Sequence, residues 1–129
     1  MVFATTDSLY ETLKRLFAAV AARDVNAAAA LEKSGLVIRF VCHEPAGIVT
    51  VDGGKRPFAV HFGESEAKAK LTATLPADLL HQILLGEIAL TKALGSGKLK
   101  VKGPIWKMTA LLGILDGARI VYPEILGQS

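Results

Sequence analysis

Residues 71–103 read LTATLPADLLHQILLGEIALTKALGSGKLKVKG, and their hydrophobic period changes twice. Residues 71–75 alternate apolar and polar side chains, and this period of two predicts a half-buried strand. The leucine-rich residues 79–94 predict a helix in two pieces, because Gly86 interrupts the pattern. Residues 98–102 alternate lysine with apolar side chains and predict another strand. This order of strand, helices and strand favours a mixed α+β fold.

The residues before this stretch predict two helices. Ser8-Leu9-Tyr10-Glu11 has the form of a capping box, so a helix is expected to begin at Ser8. Asp24 is expected to cap a second, alanine-rich helix. That helix should stop at Ser34-Gly35, where glycine suits a left-handed exit.

Three strands are predicted between those helices and residue 71. Ile38, Phe40 and Cys42 alternate with more polar residues, and residues 48–51 and 58–62 continue the pattern. Asp52-Gly53-Gly54 predicts a tight hairpin turn in which both glycines have positive φ.

The last quarter of the chain predicts a helix that is apolar on nearly every side. It is expected to open at Gly103-Pro104, with proline at its first position, and to stop at Asp116-Gly117. The amphipathic tail 119–128 could then act as a lid, hinged at Gly117, with Ile120, Val121 and Ile125 closing a cavity. In total we expect one domain, residues 1–129, with a five-stranded, mostly antiparallel sheet and helices covering one face.

The composition argues against some classes of function but does not identify one. Hydrophobic residues make up 51% of the chain and the mean hydropathy is +0.40, which either reflects an alanine-rich helix or apolar residues that face a ligand. The net charge of +3 is too small and scattered to predict nucleic-acid binding, whereas weak attraction to an anionic membrane stays open. With no signal peptide, transmembrane segment or Ser-Lys-Leu-type terminus evident, a cytoplasmic location is expected.

The sequence lacks a motif for catalysis or for metal binding. It has no C-x-x-C and no H-E-x-x-H, and His43, His61 and His81 are spread over two strands and a helix. Cys42 and His43 are neighbours on a strand and point to opposite faces, so Cys42 is expected to be a small buried hydrophobe. We therefore expect no cofactor and no enzymatic activity.

Residues 84–103 resemble the sterol carrier protein 2 (SCP-2) family. The family pattern is a leucine-rich helix ending in glycine, a second short helix, and a Gly-Lys-Leu-Lys-hydrophobic-Lys-Gly strand before an apolar helix. The matching residues are Gly86, Gly97, Lys98, Leu99, Lys100, Val101, Lys102 and Gly103. The chain departs from many members at Pro104-Ile105-Trp106, and it lacks the peroxisomal C-terminus.

The resemblance implies an apolar tunnel between sheet and helices. It also implies binding and transfer of an acyl chain, an acyl-CoA, a sterol or an isoprenoid lipid, and some bacterial relatives assist ubiquinone synthesis. On this basis Trp106 and Met108 are expected to contact the ligand, and Val60 to join the tunnel wall. The other expected ligand contacts are Phe40, Phe58, Phe62, Leu75, Leu79, Ile83, Leu84, Ile88, Leu94, Leu99, Val101, Leu111, Leu112 and Leu115.

Two alternatives to a lipid carrier remain at this point. A small enzyme or accessory protein could hold an apolar substrate in the same cavity, with Cys42, His61 or His81 as its reactive group. A structural module could instead dimerise through its apolar tail and have a filled core. Lys98, Lys100 and Lys102 are expected on one strand face, where lysines either contact a membrane or phosphate or protect a sheet edge from aggregation.

Overall fold

A computed structural model describes residues 3–23, 25–55, 58–65, 67–104 and 108–127. The description is limited to the backbone at residues 23, 25–28, 30, 108–112, 114 and 127. The helices are α1 (Thr6–Arg23), α2 (Val25–Ser34), α3 (Ala77–Leu84), α4 (Leu90–Gly95) and α5 (Met108–Gly127). The strands are β1 (Val37–His43), β2 (Gly47–Asp52), β3 (Ala59–Phe62), β4 (Leu71–Pro76) and β5 (Lys100–Lys102).

The five strands form one sheet in the order β3-β2-β1-β4-β5. The β1–β4 pair is parallel, whereas β1–β2, β2–β3 and β4–β5 are antiparallel. The parallel pair arises because the chain crosses from β2 and β3 back to the other side of β1. The predicted α+β fold with a five-stranded, mostly antiparallel sheet is therefore confirmed.

One face of the sheet, which we call the inner face, is apolar. Ile38 and Phe40 on β1 are buried, and the register places Val51 and Val49 of β2 directly opposite them. On the other side, Ala73 of β4 pairs with Phe40. Burying each such side chain contributes roughly 1.5–3 kcal/mol, so this face is the main source of folding free energy.

Helix α1 covers the inner face with a stripe at helical spacing. Its buried side chains are Leu9, Leu13, Leu16, Phe17 and Val20. The helix begins two residues before the predicted start, because the Thr5 hydroxyl accepts a hydrogen bond from the Ser8 backbone N–H at 3.0 Å. The capping residue is therefore Thr5, and the prediction of a capping box at Ser8 was wrong.

Helix α5 is longer than the sequence predicted. It runs through Asp116 and Gly117 to Gly127, with Pro123 inside it, so the predicted stop was wrong. Val121 and Ile125 are buried against the rest of the core, and Arg15 Nη2 donates a hydrogen bond to the Ile125 carbonyl at 2.8 Å. This tertiary packing outweighs the poor helix propensity of glycine and proline.

The proposed lid is thus the second half of a continuous helix. Of the three residues expected to close the cavity, Val121 and Ile125 are buried, whereas Ile120 is 71% exposed. The start of the helix at Pro104 is not shown, because residues 105–107 lie outside the described residues.

The connection between β2 and β3 also differs from the prediction. The two strands are paired as expected, but six residues, 53–58, separate them, and neither Gly53 nor Gly54 has positive φ. Glycine is needed at position 53 for space, since a Cβ there would lie 2.6 Å from the Leu31 carbonyl oxygen and 2.7 Å from that of Leu36. A Cβ at Gly54 would meet a movable group, the Asp52 carboxylate, at 3.1 Å.

We expect Gly53→Ala to destabilise the fold by about 1–3 kcal/mol, because two fixed backbone oxygens would have to move. Gly54→Ala is the matched control, and its loss should stay below about 1 kcal/mol, since only a side chain must shift. Urea denaturation followed by circular dichroism measures both. Equal stability of the two variants would contradict this account of Gly53.

Candidate functional site

A small apolar cavity lies between the inner face of the sheet and the helices. Its volume is about 20 Å³. The described side chains that line it are all apolar, and they are Leu13, Leu16, Phe17, Phe40, Val49, Leu80, Leu84, Leu115 and Ala118. Helices α1, α3 and α5 and the inner face of the sheet all contribute side chains to this cavity.

Local periodicity brings the lining residues together. Leu13, Leu16 and Phe17 are three and four residues apart on α1 and therefore share one helix face. Leu80 and Leu84 are related in the same way on α3, as Leu115 and Ala118 are on α5. Phe40 and Val49 face each other across the β1–β2 pair and form the floor.

The cavity is too small for a lipid as it stands. A volume near 20 Å³ corresponds to about one water molecule, whereas an engineered cavity of about 150 Å³ is needed to hold benzene. In the described part of the chain, the structure therefore shows the apolar surfaces that a tunnel requires but no open tunnel. The tunnel stays a prediction, and a ligand would have to separate the layers to enter.

Three of the predicted ligand residues line this cavity: Phe40, Leu84 and Leu115. Four others are buried in the surrounding core, and they are Leu75, Leu79, Ile83 and Leu99. Six are half-buried and pack at the margins of the core, and they are Phe58, Val60, Phe62, Ile88, Leu94 and Val101.

The remaining predicted contacts are on the final helix or just before it. Met108, Leu111 and Leu112 belong to α5, whose backbone is described there while the side chains are outside the description. Trp106 lies outside the described residues altogether. Their contact with a ligand stays a prediction.

Sequence reasoning missed most of the lining that α1, α3 and α5 supply. Leu13, Leu16 and Phe17 were visible as an apolar stripe, but a stripe of this kind does not reveal whether it faces a cavity or a filled core. Ala118 followed the expected end of the helix and carried no signal of its own.

Phe62 illustrates how a predicted ligand contact can have another partner. Its ring lies 5.4 Å from the Tyr10 ring of α1, and Lys14 Nζ lies 5.7 Å from the Phe62 centroid. Tyr10 also accepts a hydrogen bond from the Ile48 backbone N–H at 3.0 Å. The Tyr10 side chain therefore holds α1 against strands β2 and β3.

A second, more open hollow lies between α3 and α4, beside the end of β4. We call it the α3–α4 groove, and its volume is about 370 Å³. Its lining residues are Pro76, Asp78, Leu79, Gln82, Ile88, Lys92, Ala93, Ser96 and Lys98. Two predicted ligand residues, Leu79 and Ile88, thus face this groove and are absent from the lining of the small cavity.

A partly buried polar pair joins α3 to α5. His81 Nδ1 lies 2.7 Å from the Tyr122 hydroxyl, and Tyr122 is fully buried. The Phe3 ring packs edge-on against His81 at 5.9 Å. Burial raises the pKa of the Tyr122 phenol to about 12, so this hydroxyl stays protonated at neutral pH.

The residues considered for catalysis do not converge. Cys42 is buried on the inner face, and desolvation raises the pKa of its thiol to about 12. His43 is exposed at the end of β1, and His61 lies beside an open surface hollow with Glu64. None of these three lines the small cavity, and within the described ranges no three His, Cys, Asp or Glu side chains are grouped as metal ligands would be.

The family model for the SCP-2 sterol transfer family matches residues 13–116, which is most of the chain. The chain belongs to the SCP-2 sterol transfer family. This confirms the resemblance drawn from residues 84–103, and membership supports lipid binding or transfer as the general class of function.

Solved structures of SCP-2 proteins share the fold. Sterol carrier protein 2 from Yarrowia lipolytica, in its apo form, is 28% identical, with a TM-score of 0.59 over 72% of this chain and 76% of that chain. The sterol carrier protein domain 2 of Helicoverpa armigera is 18% identical, with a TM-score of 0.67 over 82% and 86%. A ubiquinone synthesis protein, UbiJ-SCP2, is 23% identical, with a TM-score of 0.58 over 76% and 80%.

Comparison with curated protein sequences gave no match. In the described part of this SCP-2 chain, no helix has both the length and the hydrophobicity needed to cross a bilayer.

We expect the Cys42 thiol to be almost inert toward iodoacetamide at pH 8 in the folded protein. A pKa near 12, against the ordinary 9.0, lowers the thiolate fraction about 1000-fold. The alkylation rate, followed by mass spectrometry, should rise to that of a free thiol in concentrated urea. Rapid alkylation without urea would restore Cys42 as a candidate nucleophile.

We expect Tyr122→Phe to destabilise the protein by about 1 kcal/mol at pH 7, because the hydrogen bond to His81 is lost. The folded pKa of about 12 lies above the ordinary 10.0, so the unfolded state loses the phenolic proton first. Stability should therefore fall by about 1 kcal/mol per pH unit between pH 10 and 12. Urea denaturation over this range should show a shallower fall for Tyr122→Phe, and identical slopes would contradict the assignment.

Proposed function

We propose that this protein binds the acyl chain of a lipid between α1, the inner sheet face, α3 and α5, and carries it without chemical change. The observation behind the proposal is that every described residue lining the cavity where these four surfaces meet is apolar. These lining residues offer no polar group with which to orient a reacting bond. It suits recognition of a hydrocarbon chain by burial alone.

Tight binding requires that the free energy needed to open the site be small. Burying a methylene contributes roughly 0.8 kcal/mol, so a 16-carbon chain gains about 12 kcal/mol in total. Association and ordering consume roughly 4–15 kcal/mol of this gain. Micromolar binding, about −8 kcal/mol, is reached only if separating the layers requires little additional free energy.

The attachments of α5 indicate where opening is easiest. Polar contacts fix its second half to the core: Tyr122 binds His81, and the Ile125 carbonyl accepts a hydrogen bond from Arg15. The cavity residues Leu115 and Ala118 precede both attachments. We infer that an opening would form at the Leu115 side of the helix, with the Tyr122 side as the fixed end.

An acyl chain suits this site better than a sterol. A flexible chain is narrow and can replace side-chain contacts one methylene at a time as the layers separate. A rigid ring system needs a wide space at once, and the close-packed interior around a 20 Å³ cavity does not offer it. The apolar character of the described lining residues favours carriage of the chain over its chemical conversion.

The test is native mass spectrometry of the purified protein, followed by titration with a fluorescent fatty acid. We expect a co-purified lipid, and its mass after incubation should be unchanged. Ala118→Leu fills the cavity and should weaken fatty-acid binding about tenfold or more, since the added carbons occupy ligand space. Val41→Leu adds bulk on the other face of the sheet and is the matched control.

The outcomes separate the parts of the proposal. A protein that neither carries nor binds fatty acid would overturn the function and favour the filled, dimerising module. Equal binding by Ala118→Leu and wild type would move the site elsewhere. A ligand recovered with a changed mass would favour the enzyme.

A further inference from the structure

Positive charge is concentrated in one part of the sequence. Residues 68–102 contain six lysines and two carboxylates, a net charge of +4. The rest of the chain contains nine basic and ten acidic residues, a net charge of −1. The modest overall charge of +3 thus hides a strongly asymmetric distribution.

The fold brings these six lysines to one edge of the molecule. All six are exposed, and we call them the basic edge: Lys68, Lys70, Lys92, Lys98, Lys100 and Lys102. Strand β5 is the last strand of the sheet, and Lys100 and Lys102 pair with Thr74 and Thr72 of β4.

Lys70 is held close to this strand. Its backbone N–H donates to the Val37 carbonyl at 2.8 Å, and its own carbonyl lies against Gly103, which has a φ of +130°. Lys98 precedes β5 and, with Lys92 of α4, lines the α3–α4 groove. The prediction that Lys98, Lys100 and Lys102 share one strand face was therefore wrong for Lys98, because β5 starts at Lys100.

Protection of a sheet edge does not account for this cluster. Lysines on β5 would be enough to discourage pairing with another strand. Lys68 and Lys70 precede β4, Lys92 is on a helix and Lys98 precedes β5, so four of the six lysines are off the edge strand. Among the described residues, none of the six is seen in an ion pair with a carboxylate.

The basic edge also borders apolar surface. Leu79, Ile88 and Ala93 line the α3–α4 groove together with Lys92, Lys98 and the acidic Asp78, and of the three apolar residues Ile88 is half-buried while Leu79 and Ala93 are buried at the base. A bilayer interface offers both matching chemistries, anionic headgroups and the hydrocarbon just below them. An acidic protein surface would match the lysines but would leave the apolar groove without a partner.

We propose that the basic edge docks the protein on a membrane surface rich in anionic lipid headgroups. The proposal rests on the proposed function, because a lipid carrier must meet the membrane from which it takes or receives its ligand. Each lysine near an anionic surface strengthens binding about fivefold, and the effect falls off within a Debye length. Docking by this edge is therefore reversible and sensitive to salt.

The experiment is co-sedimentation with vesicles of equimolar phosphatidylcholine and phosphatidylglycerol. We expect binding that weakens with added salt and is absent on pure phosphatidylcholine. The triple variant Lys98→Gln, Lys100→Gln, Lys102→Gln should lose about 100-fold in affinity for the anionic vesicles. The same three positions changed to arginine should keep wild-type affinity, because the charge is retained.

The control variant removes the same charge elsewhere. Lys14, Lys33 and Lys55 are also exposed and lie outside residues 68–102, so their change to glutamine should lower affinity much less. Equal loss in both triple variants would overturn the proposal, because net charge alone would then explain binding. A wild-type protein that does not bind the anionic vesicles would overturn it as well.

Two further measurements keep this test separate from the proposed function. Fatty-acid titration of the glutamine triple variant should match wild type, since none of its positions lines the small cavity. If that variant fails to fold by circular dichroism, Lys68→Gln with Lys70→Gln replaces it, with an expected loss of about 25-fold. Vesicle binding without fatty-acid binding would refute the carrier and leave the docking surface standing.

Discussion

Burial of the inner sheet face is the constraint on which the rest of the structure depends. All five strands direct apolar side chains to this face, and a sheet of this kind is stable only when another layer covers it. Helix α1 supplies the stripe from Leu9 to Val20, and α5 supplies Leu115, Val121 and Ile125. The helix must extend past Gly117 and Pro123 because a shorter one would leave that part of the core exposed to water.

The same constraint places the candidate site. Where α1, α3 and α5 meet above Phe40 and Val49, three curved helix surfaces cover a twisted sheet and leave a gap of about 20 Å³. Water-sized gaps occur in close-packed interiors, but this one lies where α1, α3, α5 and the sheet meet, and its described lining residues are all apolar. An acyl chain in this place would extend the core, so the ligand and the helices compete for the same apolar surface. Contact with the ligand and stability of the empty protein are therefore linked.

The sequence predicted the parts of the fold that depend on local period. The alternation in residues 37–43 and 71–76 and the stripe on α1 follow directly from burial of one face. The prediction failed where tertiary contacts decide the length of a helix. Gly117 has a low helix propensity, yet the packing of α5 on the core keeps this residue inside the helix. The sequence also could not separate cavity lining from filled core, because Leu84 and Ile83 look alike in sequence while only Leu84 lines the gap. The alternation of lysine with apolar residues begins at Lys98, two residues before β5 starts, and the prediction therefore placed Lys98 on the strand.

The two proposed surfaces have opposite physical requirements, and the topology keeps them apart. The cavity floor lies on β1 and β2, whereas the basic edge surrounds β5, with β4 between them. Charge near the cavity would oppose burial of hydrocarbon, and apolar residues alone at the edge would promote aggregation. Helix α3 touches both regions, since Leu80 and Leu84 line the cavity while Leu79 and Gln82 line the groove. It is therefore the element through which contact with a membrane at the edge would reach the proposed lipid site.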